Sequence, residues 1–494
     1  MPVNFNSIPS DLKVPLFYAE VDNSQANSAT SAMPRLIVGQ VNDDSVAPEI
    51  GKLTLVPSLN LAKSIGGVGS MLAEMYETWR GIDASGEVWC LPVKATGTKA
   101  TGKVAFVGTA TAGGQINLYV AGQRVRATIS SGATAAAAAT ALAAAVNAAG
   151  LSVSAVAETG EVTLSCRWSG LSGNDIQLQL NRQGRVNGEF TPNGLTVTVT
   201  AMTGGVGTPD LAAAFAVLGD EPFEFLCGPW ADATSLDAWK ALMNDSTGRW
   251  SWSRQLYGHV YTASRGTLGE LVALGDTRND AHVDVYGFEK PSPDPVWRQA
   301  AAYAARTAVF ISADPARPTQ TGELNNITPA PAGERFMLLE RQMLLSHGIA
   351  TAYCSSGTQR IERAVTTYQK NDYGQADNSY LDSETLHQSA YIIRFLKGRI
   401  TSKYGRHKLA NDGTRFGAGQ AIVTPAVIRA ELIAGYYILE QMGIVENADA
   451  FAQYLVVERS LTDPTRVNVL YPPDLVNQLR VFALQYQFRL QYQV

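Results

Sequence analysis

The sequence lacks most of what a catalytic or metal-binding protein is built on. Its four cysteines (Cys90, Cys166, Cys227, Cys354) stand far apart and form no Cys-x-x-Cys pair. That argues against a disulfide framework or a thiolate zinc site and favours a reducing compartment. The histidines (His259, His282, His347, His387, His407) make no His-Glu-x-x-His and no paired spacing with cysteine. There is no Gly-x-Ser-x-Gly elbow, so a hydrolase route has no nucleophile. Positive charge is not in excess: the formal net charge is -5 with 17% charged residues, unlike a dedicated nucleic-acid binder. The first residues, MPVNFNSIPSDLK, carry no cationic stretch followed by an apolar one, so no signal peptide is expected. The Ala-rich run 133–149 is too short and too weakly apolar to span a bilayer. A protein made in the cytosol and kept soluble, with no cofactor and no membrane insertion, is the expectation.

What is present is ample material for a core. With 494 residues, 46% of them hydrophobic, two to four domains are expected. LIVGQV (36–41) reads as a buried strand, SMLAEMYETWR (70–80) as a helix carrying Met71, Leu72, Met75 and Trp79, and EVWCLPV (87–93) as a strand, one βαβ unit. From 96 to 206 the chain turns rich in Thr, Gly and Ala, with short β-like runs (KVAFVG, QINLYVA, EVTLSCRW, IQLQL, LTVTVTAM) around one Ala-rich helix at 134–149. It reads as an inserted, mainly β domain. The α/β rhythm then resumes: strands at 223–227, 256–263 and 282–288 alternate with helices near 234–244, 266–275 and 294–310. Alternation of this kind predicts parallel pairing with right-handed crossovers, and the two α/β stretches are expected to share one sheet. Beyond 335 the chain becomes helical, with Thr424 placed to cap a helix that starts at Pro425, and short strands at 454–460 and 466–471.

Two local patterns invite chemistry and do not sustain it. SIGGVGS (64–70) precedes a helix, but the strand before it ends near 41 and no Gly-Lys-Ser/Thr follows, so a glycine-rich helix entry is the simpler reading. His282 and Asp284 alternate onto one face of a strand, where a satisfied structural pair is far commoner than a metal or catalytic dyad.

The termini are the informative part. Phe17, Ala19 and Val21 share one face of a strand in an extended arm broken by Pro9 and Pro15. At the other end Phe482, Leu484, Tyr486, Phe488, Leu490, Tyr492 and Val494 alternate with polar residues and Ala483 over thirteen residues. Such a strand needs a sheet edge, either in its own subunit or in a neighbour, and strand character at both ends favours the neighbour. Between Glu384 and Asp412 the chain carries Arg394, Lys397, Arg399, Lys403, Arg406 and Lys408 with no acid among them. This local basic stretch is either a solvated helix surface or a docking face for an acidic partner.

Taken together, the segments resemble the tail sheath proteins of contractile bacteriophages, closest to the Mu-like branch. The resemblance is carried by IPSDLKVPLFYAEVDNSQA (8–26), GSMLAEMYETWRG (69–81), SADPARPTQTGEL (312–324) with ERFMLLERQMLLSHGIAT (334–351), YLDSETLHQSAYIIRFLKGRI (380–400), KYGRHKLANDGTRFGAGQAIVTP (403–425), GIVENADAF (443–451) and VVERSLTDPTRVNVLYPPDLVNQLRVFALQYQF (456–488). The insertion 96–206 has no match in it. The resemblance implies a non-enzymatic structural subunit that forms hexameric rings stacked around a tail tube, meets baseplate and tail terminator proteins, and contracts to drive the tube through the host envelope. It implies residence in the virion after assembly in the host cytoplasm, and no direct contact with nucleic acid. The fold it implies is multidomain, α/β and α+β. An amino-terminal arm (1–25) precedes a parallel α/β body likened to subtilisin without its protease machinery (26–95 and 207–330). A mainly β outer domain (96–206), a mixed carboxy-terminal domain (331–475) and a strand arm (476–494) complete it. The basic residues 394–408 become tube-facing candidates. The sheath of a phage-derived contractile bacteriocin fits the same residues; an α/β hydrolase or a surface adhesin fits them poorly, for want of a nucleophile and of a secretion signal.

Overall fold

The computed structural model describes residues 33–490 apart from Ala418. The chain divides into two compact units, one containing the residues up to Val309 with Thr319–Ser383, the other Phe310–Pro318 with Glu384 to the carboxy terminus.

The first unit is organised on a six-stranded sheet in the order Val283–Glu289, His259–Gly266, Phe225–Cys227, Arg35–Gln40, Val88–Val93, Thr54–Leu55. All neighbours are parallel except the last pair. Arg35–Gln40 and Val283–Glu289 are buried along their whole length. That is why both carry apolar residues on both faces, Leu36, Ile37 and Val38 in one and Val285, Tyr286 and Phe288 in the other, rather than a strict alternation. The two α/β stretches therefore share one sheet across the insertion. Helix Met71–Arg80 is capped by the Ser70 hydroxyl, which accepts from the Ala73 amide at 3.2 Å, and buries Met71, Leu72, Met75 and Trp79.

The glycines of SIGGVGS have a packing reason. Gly69 has φ +71° and a Cβ there would stand 2.2 Å from the Leu151 carbonyl, while one on Gly67 would meet the Asn42 amide at 2.4 Å. They let the insertion and a neighbouring loop approach the helix entry.

The insertion folds as two antiparallel sheets. One has the order Leu195–Thr203, Lys99–Gly108, Glu161–Ser169, Val153–Glu158; the other Gln123–Ile129, Gly114–Val120, Leu178–Leu180. Helix Ala135–Ala148, capped by Thr134, packs on strands of both sheets through Ala138, Ala139, Leu142, Ala143 and Val146. Strands Gln123–Ile129 and Val153–Glu158 were not evident in the sequence.

The sequence reading places 331–475 in one carboxy-terminal domain, but residues 331–383 pack with the first unit. The reason is the open edge of strand Val283–Glu289. Ala350 exchanges hydrogen bonds with it (its amide to Val285 O and its carbonyl from the Gly287 amide, both 2.9 Å), and Thr367 N donates to Val283 O at 3.1 Å. The hairpin Thr351–Ser355/Thr358–Arg363 follows from that attachment.

The second unit has helices Ser383–Tyr404, Pro425–Gln441 and Ala448–Tyr454 around a core that includes Ile428, Leu432, Tyr436, Leu439 and Phe451. Tyr436 and Phe451 stack with centroids 3.8 Å apart. Thr424 occupies the capping position before Pro425, but its side chain caps nothing; the Asp412 carboxylate does so instead, accepting from the Ala426 amide at 3.0 Å. Three two-stranded pairs complete the unit: Lys408–Leu409 with Ile422–Val423, Val445–Glu446 with Asp474–Leu475, and the hairpin Val456–Arg459/Val467–Leu470.

Candidate assembly interface

The carboxy-terminal segment is tethered and then released. Val476 donates to Ile444 O (3.3 Å), Gln478 reaches the Ala316 carbonyl (3.3 Å), and Arg480 Nη2 pairs with the buried Glu384 carboxylate at 3.0 Å. Beyond that anchor Phe482, Leu484, Tyr486, Phe488 and Leu490 are between 70% and 96% exposed, and residues 476–490 lie in no helix or strand. Five large apolar side chains on one period, turned to solvent, leave a strand-forming sequence without a sheet. Phe17, Ala19, Val21 and Tyr492 lie outside the described residues.

The same unit holds a two-stranded sheet with apolar side chains at the surface. The hairpin Val456–Arg459/Val467–Leu470 is two-stranded, and Val456, Val469 and Leu470 on it are exposed. The pair is supported by helix Pro425–Gln441, on which Val456–Arg459 packs, while these three apolar side chains stay at the surface.

The basic stretch does not form the single face that its sequence implies. Arg399 and Lys403 turn onto Glu431 of the next helix; Lys403 Nζ is 2.5 Å from Glu431 Oε2, Arg399 Nε pairs with Oε1, and Tyr404 OH donates at 3.3 Å. Burial alone would raise the Glu431 carboxyl; the Lys403 hydrogen bond and the Arg399 charge outweigh it and hold the group below its ordinary value. Lys397, Arg406 and Lys408 are exposed and Arg394 is half-buried. The acid that neutralises two of the six comes from a different helix.

His282 and Asp284 also separate. His282 Nε2 lies 3.1 Å from Asp245 Oδ1, with the ring stacked on Trp250. Asp284 is 2.8 Å from His259 Nε2 and accepts from Tyr303 OH at 2.7 Å, all three fully or nearly fully buried. Neighbouring elements stand nearer than the next residue on the same strand face, so each takes a different partner. Among the described residues no cluster of His, Cys, Asp or Glu could hold a metal ion, and no helix is long and apolar enough to cross a membrane.

The junction of insertion and body is held by a dense polar network that no sequence pattern announced. Asp43 accepts from the Ser169 amide (3.1 Å) and hydroxyl (2.7 Å), and Gln40 bonds Ser169 O and Ser172 Oγ at 2.9 and 2.8 Å. Asp175 pairs with Arg265 at 2.5 Å and accepts the Val296 amide at 2.6 Å, the first of helix Val296–Ala313. Trp168 of the insertion meets Trp297 edge to face at 5.3 Å, and Trp297 Nε1 donates to Glu74 at 2.6 Å.

Burial pushes the Glu74 carboxyl up from 4.5 to about 7, against the opposing Arg298 charge and the Trp297 hydrogen bond. The folded chain thus holds this proton more tightly than the unfolded one. The stabilisation is complete below pH 4.5 and is lost as pH rises through about 7. Over that window it amounts to about 3 kcal/mol. Glu74→Gln, which keeps an acceptor for Trp297, is expected to melt with wild type at pH 5 and about 4 °C above it at pH 8. Thermal unfolding at the two pH values checks this.

Residues 204–367 match the family described as phage tail sheath protein central domain, and residues 375–489 match the phage tail sheath C-terminal domain. A relative from Haemophilus influenzae, the Mu-like prophage FluMu tail sheath protein, is 39% identical over 495 aligned positions, covering 99% of this chain and 100% of the relative. The chain belongs to the phage tail sheath family, in its Mu-like branch. Such relatives are structural tail components, not enzymes, and this chain is a virion-associated tail protein. Among solved structures it is similar to the sheath tail protein of Desulfitobacterium hafniense (12% identical, TM-score 0.48, covering 94% of this chain and 97% of that one). It is also similar to that of Listeria innocua (10% identical, TM-score 0.47, covering 92% and 94%).

Proposed function

We propose that this chain is the repeating subunit of a contractile sheath: hexameric rings stacked around a tail tube, capped by baseplate and terminator proteins, that shorten to drive the tube through the host envelope. In this reading the body is a subtilisin-like α/β unit without protease machinery, 96–206 is an outer domain, and arms at both ends (1–25 and 476–494) add strands to neighbouring copies. The observation that carries it is the alternating apolar segment from Phe482, whose large apolar side chains are exposed throughout its described length, together with a two-stranded hairpin in the same unit that keeps Val456, Val469 and Leu470 at the surface.

The physics of shortening follows from two kinds of contact. A strand pairing joins backbone hydrogen bonds to buried side chains, so it can keep subunits linked while their bodies exchange weaker polar contacts. A gain of about 1 kcal/mol per subunit, summed along a cooperative stack, is a large driving force, and no nucleotide is needed.

Negative-stain imaging of the purified full-length chain tests the proposal. Tubular particles are expected; a chain that stays monomeric at high concentration rules the reading out. The basic segment is tested separately. Reversing Lys397, Arg406 and Lys408 to Glu is expected to lower co-assembly with the tube several-fold and flatten its salt dependence. Arg399→Glu and Lys403→Glu instead destabilise the subunit itself, because they strand Glu431. Unchanged tube binding by the triple variant removes this face from the tube contact.

A further inference from the structure

The first unit carries an exposed aromatic at one end of its parallel sheet and an apolar face at the other. Trp252 is 83% exposed, on a loop that is anything but loose. Trp250 Nε1 donates to Gly258 O at 2.8 Å, the Leu256 amide to Arg249 O at 2.8 Å, and Gln255 Nε2 to the Trp252 carbonyl at 3.0 Å. Arg249, fully buried, holds the loop to Glu221 O at 2.5 Å. Gly258 immediately precedes strand His259–Gly266, and the Trp250 ring stacks on His282, just before strand Val283–Glu289. These strands are parallel, so Trp252 stands at their amino ends.

Helix Leu338–Ser346 presents the opposite end. Met337, Leu338 and Leu339 are 72%, 68% and 77% exposed, with Met343 beside them at 47%. The Phe336 amide donates to the Glu289 carboxylate at 3.1 Å, and Glu289 is the last residue of its strand. The face therefore lies at the carboxyl ends, roughly 25 Å along the strands from the tryptophan. The helix start is fixed by Glu340, which accepts the Met337 amide at 2.6 Å.

Single exposed apolar residues are ordinary; a rigidly held tryptophan and a cluster of two methionines and two leucines are not. A repeating polymer of identical subunits needs a heterologous contact, in which two different surfaces of one subunit fit each other on successive copies. A knob and a face at opposite ends of one rigid sheet meet that requirement, and aromatic rings pack well on thioethers and leucines. We infer that Trp252 of one subunit seats on the Met337–Leu338–Leu339–Met343 face of the next, a head-to-tail contact between bodies that is independent of the strand arms. It rests on the sheath reading above and specifies where bodies touch.

The test uses full-length chain with Cys354→Ser, which removes the one cysteine that is not buried. Trp252→Cys with Leu339→Cys, assembled into sheaths and treated with a short bis-maleimide, is expected to give a ladder of covalent multimers. Either substitution alone gives no ladder, and a mixture of the two single variants stops at dimers. Sheaths that form normally, seen in the microscope, but give no ladder overturn the inference and leave the sheath reading standing. If the wild-type chain itself forms no tubes, both fail together. As a second measure, Trp252→Ser is expected to raise the concentration needed for assembly at least ten-fold while the melting temperature of the subunit stays unchanged; equal assembly contradicts the contact.

Discussion

Deleting residues 481–494 leaves a subunit that melts with the full-length chain but forms no sheath. The cut falls just after the pairing of Arg480 with Glu384 and removes no described strand or core residue. Among the described residues removed, the large apolar side chains of Phe482, Leu484, Tyr486, Phe488 and Leu490 are turned to solvent. Burying one such side chain contributes about 1.5–3 kcal/mol, so five together offer on the order of 10 kcal/mol to whatever sheet receives them. Ordering the segment costs about 1–2 kcal/mol per residue. For the nine residues from Phe482 to Leu490 that cost is of the same order as the gain, so the backbone hydrogen bonds of the receiving sheet must tip the balance, and two lost side chains are enough to reverse it. Leu484→Asp with Phe488→Asp is therefore expected to match the full deletion, whereas Gln485→Ser and Gln487→Ser, on the other face, leave assembly within about two-fold. Sedimentation of assembled material and thermal melting of the subunit separate the two effects. Loss of melting temperature without loss of assembly reverses the assignment and makes the segment part of its own subunit's fold.

How far the sequence was legible depended on whether the deciding partner was close in the chain. Parallel strands buried on both faces carry apolar residues on both, so Arg35–Gln40 and Val88–Val93 were readable from LIV and VWCLPV, and Val283–Glu289 from Val283, Val285, Tyr286 and Phe288 despite the buried Asp284. Strand Gln123–Ile129 was missed although Val125, Ala127 and Ile129 alternate inward against Arg124, Arg126 and Thr128; three inward residues are a short signal beside the two arginines. Two-residue strands such as Lys408–Leu409 have no periodicity to read. The basic stretch was legible only in part, for a related reason. Six cations without an acid between them look like one face, but Glu431, a helix away, draws in Arg399 and Lys403. The boundary after 330 misled because an open sheet edge, invisible in sequence, captures Ala350 and Thr367. His282 and Asp284, two residues apart, turned to Asp245 and His259 for the same reason.

Asp175→Ala is expected to loosen the insertion from the body and to cost about 3–5 kcal/mol of stability, the usual result of removing one partner of a largely buried ion pair. Two losses coincide at this residue. Arg265, its side chain 8% exposed, keeps its hydrogen bonds to the carbonyls of Lys290, Ser292 and Asp294 but has no carboxylate left. The Val296 amide loses its acceptor at the start of an eighteen-residue helix, which by itself is worth about 1 kcal/mol. Asp175→Asn, able to accept from Val296 but uncharged, is expected to cost about half as much. Asp175→Ala combined with Arg265→Leu recovers part of the loss, since it removes the stranded charge along with its partner. The neck tells whether the damage is local. Gly97 and Gly207 lie across from each other there, where a Cβ on either would stand 1.9 or 2.0 Å from a carbonyl oxygen of the opposite strand, so the two chains leave the body zipped together. Limited proteolysis is expected to cut Asp175→Ala within residues 170–176 before any other site, and hydrogen exchange to rise there and at residues 296–299 first. Uniform acceleration across the chain instead indicates that insertion and body unfold as one cooperative unit. In that case the outer domain cannot move separately from the body when the sheath shortens.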